Sequence, residues 1–169
     1  EERTLLAASV IREEVEISNS IALNDVVVHK WEEARMVEFV TAIDGGFVNT
    51  QRSDGLIIAT PTGSTAYALS GGGPILHPTL EAFTLVPICP HTLSQRPLVI
   101  SSNSILEVTI SEWGHASAQV TCDGQINLGL TAGDRIRISQ YDRKIKLIHP
   151  ADYNYYDVLR AKLHWGEKF

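Results

Sequence analysis

Only two of the 169 residues are cysteines, Cys89 and Cys122, and neither belongs to a Cys-x-x-Cys motif. Two thiols cannot form the set of bridges that stabilises small secreted domains, so we predict buried, reduced cysteines in a cytoplasmic protein. Cys89-Pro90-His91 offers only two metal ligands, and no two histidines are spaced as His-x-x-x-His. The sequence therefore predicts no metal site built from protein side chains.

Basic residues are also scarce. The chain has 14 Lys and Arg against 20 Asp and Glu, a formal net charge of −6. A nucleic-acid-binding protein needs a basic surface to neutralise phosphates, so we expect no nucleic-acid partner. No apolar run approaches the roughly 18 residues that span a bilayer, and Glu1-Glu2-Arg3 is unlike the start of a signal peptide. We therefore expect no membrane association.

What the chain does contain is alternation of apolar and polar residues, the pattern of half-buried β-strands. Length and composition (44% hydrophobic, 20% charged) predict one globular domain over residues 1–169. We expect turns at Ser18-Asn19, Asp44-Gly45-Gly46, Asp123-Gly124 and 131–134. A mainly β fold of the β-sandwich type follows. The predicted strands are 5–17, 20–29, 35–43, 47–51, 56–59, 83–88, 98–100, 105–111, 118–122, 135–140 and 144–149.

Two segments have helical character. The first is a short helix after Thr62, which the three glycines 71–73 and Pro74 would end. The second is 152–165, where Asp152 could be the N-cap. Tyr156, Leu159 and Leu163 are spaced to share one face of that helix.

Residues 60–74, here called the signature segment, read Thr-Pro-Thr-Gly-Ser-Thr-Ala-Tyr-Ala-Leu-Ser-Gly-Gly-Gly-Pro. They follow the apolar strand 56–59 and combine a Pro-Gly turn with four hydroxyl side chains and a short helix. Backbone N–H and hydroxyl donors at a helix N-terminus suit a polar or anionic ligand such as a nucleotide. The alternative is a capped helix and loop with no ligand.

The signature segment resembles that of the bacterial NAD kinases, which phosphorylate the 2′-hydroxyl of the adenosine ribose of NAD with ATP to give NADP. The resemblance extends in order over almost the whole chain. It includes the Gln-Arg-Ser-Asp-Gly-Leu-Ile run at 51–57, the Pro-His-Thr-Leu-Ser run beginning at Pro90, Asp-Gly-Gln at 123–125, and the ending from 149 to 165. It implies the β-rich, NAD-binding C-terminal domain of such an enzyme.

The family's enzymes also contain an α/β domain with a Gly-Gly-Asp-Gly motif, whose Asp is taken as the general base. That string does not occur in the 169 residues. We therefore expect the α/β N-terminal domain and the catalytic residues to lie outside this chain. The resemblance further implies that Mg²⁺ accompanies ATP, and that the domain self-associates to a homo-oligomer (dimer or tetramer).

Candidate NAD-binding residues follow from the resemblance and from the groups that NAD offers. Asn24 and Asp25 could accept ribose hydroxyl protons, although the family has Glu where this chain has Asp25. Asp54 would contact the nicotinamide end, and Tyr67 would place a ring and a hydroxyl against the ligand. For isolated residues the other interpretations are turns at Asn24-Asp25 and at Asp54-Gly55, and core packing for Tyr67. The remaining candidates are Arg35 and Arg52 as cations for the phosphates, and Thr62, Thr65, Ala66, Ser70 and Gln125.

Two other functions remain open from the sequence. One is a non-catalytic β-sandwich that serves in ligand binding or oligomerisation. The other is a related lipid or sphingoid-base kinase, against which the acidic composition and the signature segment argue.

Overall fold

Two six-stranded antiparallel sheets pack face to face and account for most of the fold. The structure is a computed structural model that describes residues 1–31, 35–111 and 118–166, apart from the side chains of 126 and 127. Fourteen strands and two α-helices are present in these ranges, with a 3-10 turn at Gly63–Thr65 directly before the first helix. The elements are β1 Glu2–Arg3, β2 Leu6–Arg12, β3 Val15–Ala22, β4 Asp25–Lys30, β5 Val37–Ile43, β6 Gly46–Ser53, β7 Gly55–Ala59, α1 Tyr67–Ser70, β8 Ala82–Ile88, β9 Leu98–Ser101, β10 Leu106–Ile110, β11 Ala118–Cys122, β12 Ile126–Leu130, β13 Arg135–Gln140, β14 Ile145–Lys146 and α2 Tyr155–Leu163.

The strand order is β3-β2-β13-β10-β5-β6 in the first sheet and β12-β11-β4-β7-β8-β9 in the second, while β1 and β14 form a separate ribbon. Alternate residues of both sheets meet in one apolar core, as in other β-sandwiches. Phe39 and Phe83, at 0% and 1% exposure, are among its largest side chains. The predicted mainly β fold is confirmed.

A second, smaller apolar cluster lies on the outer face of the second sheet. Ala68 of α1 packs there against residues of β4, β7 and β8, namely Val27, Ile57, Ala59 and Val86. The glycines that follow α1 allow this close packing, because a Cβ at Gly73 would lie 2.6 Å from the Val86 side chain. The cluster fixes α1, the middle of residues 60–74, on the outer face of the second sheet.

The first hairpin turns at a different place from the one we predicted. Ser18 and Asn19 lie inside β3, paired with Val10 and Ser9 of β2. The chain reverses instead at Glu13 and Glu14, whose φ angles of 49° and 63° are left-handed. Glutamate is not typical of this conformation, which favours Gly, Asn or Asp. Residue types therefore favoured Ser18-Asn19 as the turn, and this prediction was wrong.

The C-terminal helix is confirmed, but its cap and its buried face differ from the prediction. Its N-cap is Asn154, not Asp152, and the Asn154 side chain accepts hydrogen bonds from the N–H groups of Tyr156 and Asp157. Leu159 is the one described residue of α2 that is buried, while Tyr156 is 56% exposed. The predicted apolar face is therefore largely uncovered within the described part of the chain.

Other strand boundaries follow the prediction in part. The predicted strand 20–29 is divided between the end of β3 and most of β4, and the short strand β1 was not predicted. Residues 126–130 form a strand that we did not predict, since Gly129 interrupts their pattern. The predicted strand 144–149 shortens to the two residues of β14. Cys122 is buried, but Cys89 is exposed, so the expectation of two buried thiols was wrong for Cys89. Across the described ranges, neither helix has the length and apolar character needed to cross a membrane.

Candidate functional site

An open cleft of about 520 Å³ lies on the outer face of the second sheet, beside the start of α1. Three segments that are distant in sequence form it: β4, the signature segment, and β11 with the turn that follows. Residues with two carboxylates, several amide or hydroxyl groups and one phenol ring line the same space. The lining residues are Asn24, Asp25, Val27, His29, Ala66, Tyr67, Gln119, Thr121, Asp123 and Gly124.

The floor of the cleft follows from strand periodicity. Successive residues of a strand point to opposite faces, so Asp25, Val27 and His29 share the outer face while Val26 and Val28 enter the core. On β11, Thr121 is opposite Val27 and Gln119 is opposite His29. Gln119 Nε2 and His29 Nδ1 are 3.3 Å apart. The cleft thus runs along β4 with Asp25 at one end and His29 at the other, about 13 Å apart for an extended strand.

Two hydroxyl groups of the signature segment are used inside the fold rather than offered to a ligand. Thr60 is fully buried, and its Oγ1 donates to the Leu23 carbonyl at 2.6 Å and accepts from the Gly63 N–H at 3.0 Å. Ser64 donates from Oγ to the Pro61 carbonyl and accepts from the Leu76 N–H. These two hydroxyl groups are therefore not available to a ligand.

From the sequence we interpreted Gly63 as a turn residue, but the structure shows a second reason for glycine at this position. Its backbone lies so close to β4 that an added Cβ would be 2.0 Å from the Asn24 carbonyl oxygen. Real Cβ contacts essentially never fall below 3.0 Å. Glycine is therefore required here, because two backbone segments approach each other closely. This approach places Ala66 and Tyr67 over the start of β4.

Asp25 carries the most perturbed carboxyl group of the cleft. Its exposure is 6%, and burial, together with the nearby charge of Asp123, raises its pKa to about 6. Burial also lowers the pKa of His29 below its ordinary value. Burial thus disfavours the ionised form of each side chain, and a ligand that donates hydrogen bonds to Asp25 would stabilise its carboxylate.

The structure brings four of the predicted binding residues together in the cleft. Asn24, Asp25, Ala66 and Tyr67 line it, and the Tyr67 ring is 47% exposed, which excludes core packing for this residue. The other predicted residues do not line it. Thr62 accepts a hydrogen bond from Arg3, Thr65 donates to the Thr62 carbonyl, and Ser70 and Gln125 are exposed.

The predicted cations also lie away from the cleft lining. Arg35 is exposed before β5, and Arg52 forms an ion pair with Glu38 on the first sheet at 3.2 Å. Among the described residues that line the cleft, none is Lys or Arg. Asp54 is next to the cleft rather than in it, because its carboxylate pairs at 2.9 Å with Lys30, the residue after His29.

Four polar residues of the cleft were missed from the sequence. His29, Gln119 and Thr121 belong to strands that we predicted, but only the register between β4 and β11 shows that they share a face. Asp123 was identified as a turn residue and as part of the Asp-Gly-Gln motif, without a role in the site. The signal that could have found it is its position directly after β11, in the turn from which its side chain reaches the start of β4.

Comparison with known proteins identifies the family. The pattern of the ATP-NAD kinase C-terminal domain family matches residues 23–150. NAD kinases of Nitrosococcus oceani and Pseudomonas fluorescens are 52% and 53% identical to the chain over 168 residues. Those residues are 99% of this chain and 57% of each relative, so the chain spans little more than half the length of these relatives.

Two solved structures are similar to the fold. Yeast NADH kinase complexed with NADH superposes with a TM-score of 0.91 at 29% identity, covering 100% of this chain and 50% of that chain. An NAD kinase from Archaeoglobus fulgidus in complex with ATP gives a TM-score of 0.71 at 33% identity, covering 85% and 53% respectively. Because the family pattern matches residues 23–150, which are most of the chain and include every residue that lines the cleft, the chain belongs to the ATP-NAD kinase C-terminal domain family.

Proposed function

We propose that residues 1–169 form the NAD-binding domain of an NAD kinase, which transfers a phosphoryl group from ATP to the adenosine ribose 2′-hydroxyl of NAD. The observation that supports this most directly is the cleft, in which Asn24, Asp25 and Tyr67 meet beside the signature segment. Family membership and the relatives named NAD kinase support the same reaction. The yeast neighbour complexed with NADH and the archaeal neighbour complexed with ATP support the two substrates.

The charges of the cleft favour one orientation of the dinucleotide. Asp25 and Asp123 place two carboxylates at one end, where a diphosphate would be repelled. Ribose hydroxyls and amide N–H groups are donors, and they suit carboxylate and amide acceptors. We therefore place a ribose diol against Asn24 and Asp25 with the Tyr67 ring beside it, and the phosphates outside this acidic end.

Magnesium enters this proposal as part of Mg-ATP, whose phosphates it bridges and neutralises during transfer. The two carboxylates of the cleft do not fit a resident divalent cation. Both oxygens of Asp123 already accept backbone N–H groups, which leaves Asp25 as the one remaining acidic group among the described lining residues.

The following variant tests the binding assignment in the full-length protein. Asp25→Ala is expected to raise the KM for NAD by about 10- to 150-fold, the effect of losing hydrogen bonds to a charged group. The KM for ATP should stay unchanged, since Asp25 is assigned to the acceptor substrate. Steady-state kinetics with varied NAD and varied Mg-ATP measure both constants. Asp142→Ala is the control, because Asp142 is an exposed aspartate in the connection between β13 and β14. Equal KM values for NAD in the parent and Asp25→Ala would remove Asp25 from the site.

The isolated 169-residue chain is expected to form no NADP from NAD and Mg-ATP, because the Gly-Gly-Asp-Gly string is absent from it. NADP formation above a no-protein control, in an enzymatic cycling assay, would contradict this. The same assay on the full-length protein distinguishes the kinase from a non-catalytic binding module. NAD binding without any NADP formation by the full-length protein would decide for the module.

Self-association is a further part of the proposal. Strand β9 lies at the edge of the second sheet and leaves Leu98 and Val99 41% and 46% exposed. An edge strand with exposed apolar side chains can pair with a second chain. This supports the homo-oligomer that the family resemblance implies.

A further inference from the structure

The segment Leu23 to Asp25 leads into β4 and carries the two acceptor side chains of the cleft, and its backbone is held from both sides. On one side, Thr60 donates hydrogen bonds to carbonyl oxygens of this segment. The Thr60 hydroxyl donates to the Leu23 oxygen at 2.6 Å, and the Thr60 N–H donates to the Asn24 oxygen at 2.9 Å. On the other side, the Asp123 carboxylate accepts hydrogen bonds from the N–H groups of this segment. The backbone of this segment therefore has partners for both its donors and its acceptors.

The Asp123 carboxylate accepts three consecutive backbone N–H groups. Its Oδ2 accepts from Leu23 at 2.8 Å, and its Oδ1 accepts from Asn24 at 2.7 Å and from Asp25 at 3.1 Å. The Asp123 N–H in turn donates to the Asp25 carbonyl at 2.9 Å. Asp123 has a left-handed φ of 50°, a conformation that aspartate tolerates better than most residues. Backbone and side chain together fix the carboxylate at this place.

This arrangement differs from that of a residue that binds the ligand itself. Both carboxylate oxygens of Asp123 are directed at the backbone of β4, while the Asn24 and Asp25 side chains remain to face the cleft. The Asp123 charge also contributes, after burial, to the raised pKa of Asp25. Asp123 therefore acts on both the geometry and the charge state of the neighbouring acceptor.

We propose that Asp123 is a positioning residue for NAD recognition, which holds the backbone of residues 23–25 so that Asn24 and Asp25 present their acceptors to the dinucleotide. This inference rests on the proposed function of the cleft. It assigns Asp123 no contact with the reacting atoms. Loss of the Asp123 carboxylate should weaken NAD binding while leaving ATP recognition and the maximal rate at saturating NAD nearly unchanged.

The test uses Asp123→Asn and Asp123→Ala in the full-length protein, with the KM for NAD, the KM for ATP, kcat and direct NAD titration as readouts. Asparagine keeps one acceptor oxygen but places an amide donor against a backbone N–H, whereas alanine removes all three bonds. We expect the KM for NAD to rise about tenfold for Asp123→Asn and further for Asp123→Ala. Amide hydrogen exchange at Leu23, Asn24 and Asp25 should accelerate in the same order.

Asp134→Asn is the matched control. Asp134 is also a buried aspartate that accepts a backbone N–H, that of Thr131, and it pairs with Arg12 on the first sheet. This variant should lower the thermal unfolding temperature without changing the KM for NAD. If Asp123→Asn accelerates exchange at residues 23–25 but binds NAD as the parent does, the positioning role is overturned. An equal rise of the KM for NAD in Asp134→Asn would overturn it as well, because the effect would then be one of general stability.

The failure of the proposed function has a different signature. A full-length parent that titrates with NAD but forms no NADP would refute the kinase reaction, and the affinities of the Asp123 variants for NAD would still decide the positioning role. A parent that neither binds NAD nor forms NADP refutes both.

Discussion

Replacing Gly63 with alanine is expected to destabilise the protein by about 3 kcal/mol or more and to abolish NAD binding. The added Cβ would lie 2.0 Å from the Asn24 carbonyl oxygen and 2.6 Å from the Asn24 Cα. Both atoms belong to backbone, which no rotamer change can move aside. The signature segment and the start of β4 must therefore separate, and the cleft between them changes shape. Chemical denaturation and NAD titration measure the two effects.

Gly129→Ala is the control for this variant. Gly129 lies in β12, where an added Cβ meets nothing within 4 Å, and its φ is not in the left-handed range. Alanine there should leave stability unchanged or raise it by about 0.5 kcal/mol through a smaller entropy loss on folding. A Gly63→Ala protein as stable as Gly129→Ala, with parental NAD affinity, would show that the contact with Asn24 is not tight.

The free energy of unfolding of Asp25→Asn, relative to that of the parent, is expected to rise by about 3 kcal/mol as the pH increases from below 3.8 to above 6. The folded-state pKa of Asp25 is raised to about 6 from its ordinary value of 3.8, mainly by burial and secondly by the charge of Asp123. The folded parent thus keeps a proton that the unfolded chain has already released. Its stability falls over this window, and asparagine has no such proton to lose.

Urea denaturation of the parent and Asp25→Asn at several pH values between 3.5 and 8 measures this difference. Comparing the two proteins at each pH cancels the titration of groups that both contain. A stability difference that stays constant across the window would mean that Asp25 ionises in the folded protein as it does in the unfolded chain. NAD, by donating to the carboxylate, should bind the parent more tightly above pH 6 than below it.

Local patterns in the sequence were enough for most of the fold. The alternation in 37–43 places Val37 and Phe39 in the core, and Asp44-Gly45 forms the predicted hairpin with φ angles of 50° and 77°. The turn at Glu13-Glu14 could not be predicted in this way, because pairing of β2 with β3 imposes a conformation that Glu itself does not favour.

From the sequence, the candidate site was predictable only where residues that line it are adjacent in the chain. Asn24-Asp25 and Ala66-Tyr67 are short runs, and the structure places both in the cleft. Arg52 was selected as a cation by residue type alone, and strand pairing places it beside Glu38 on the other sheet. The Asp123 carboxylate bonds residues about a hundred positions earlier, a relation that no local pattern contains.

The long sequence separation of these bonds has a consequence for how the site comes into being. Leu23 is 37 residues from Thr60 and 100 from Asp123, so the cleft does not exist in any short fragment of the chain. Proteins dominated by such non-local pairing fold slowly, over milliseconds to seconds. Binding competence should therefore appear together with the complete sandwich and at no earlier stage of folding. A dinucleotide present during refolding would then act on the final, native state alone, slowing unfolding without accelerating folding.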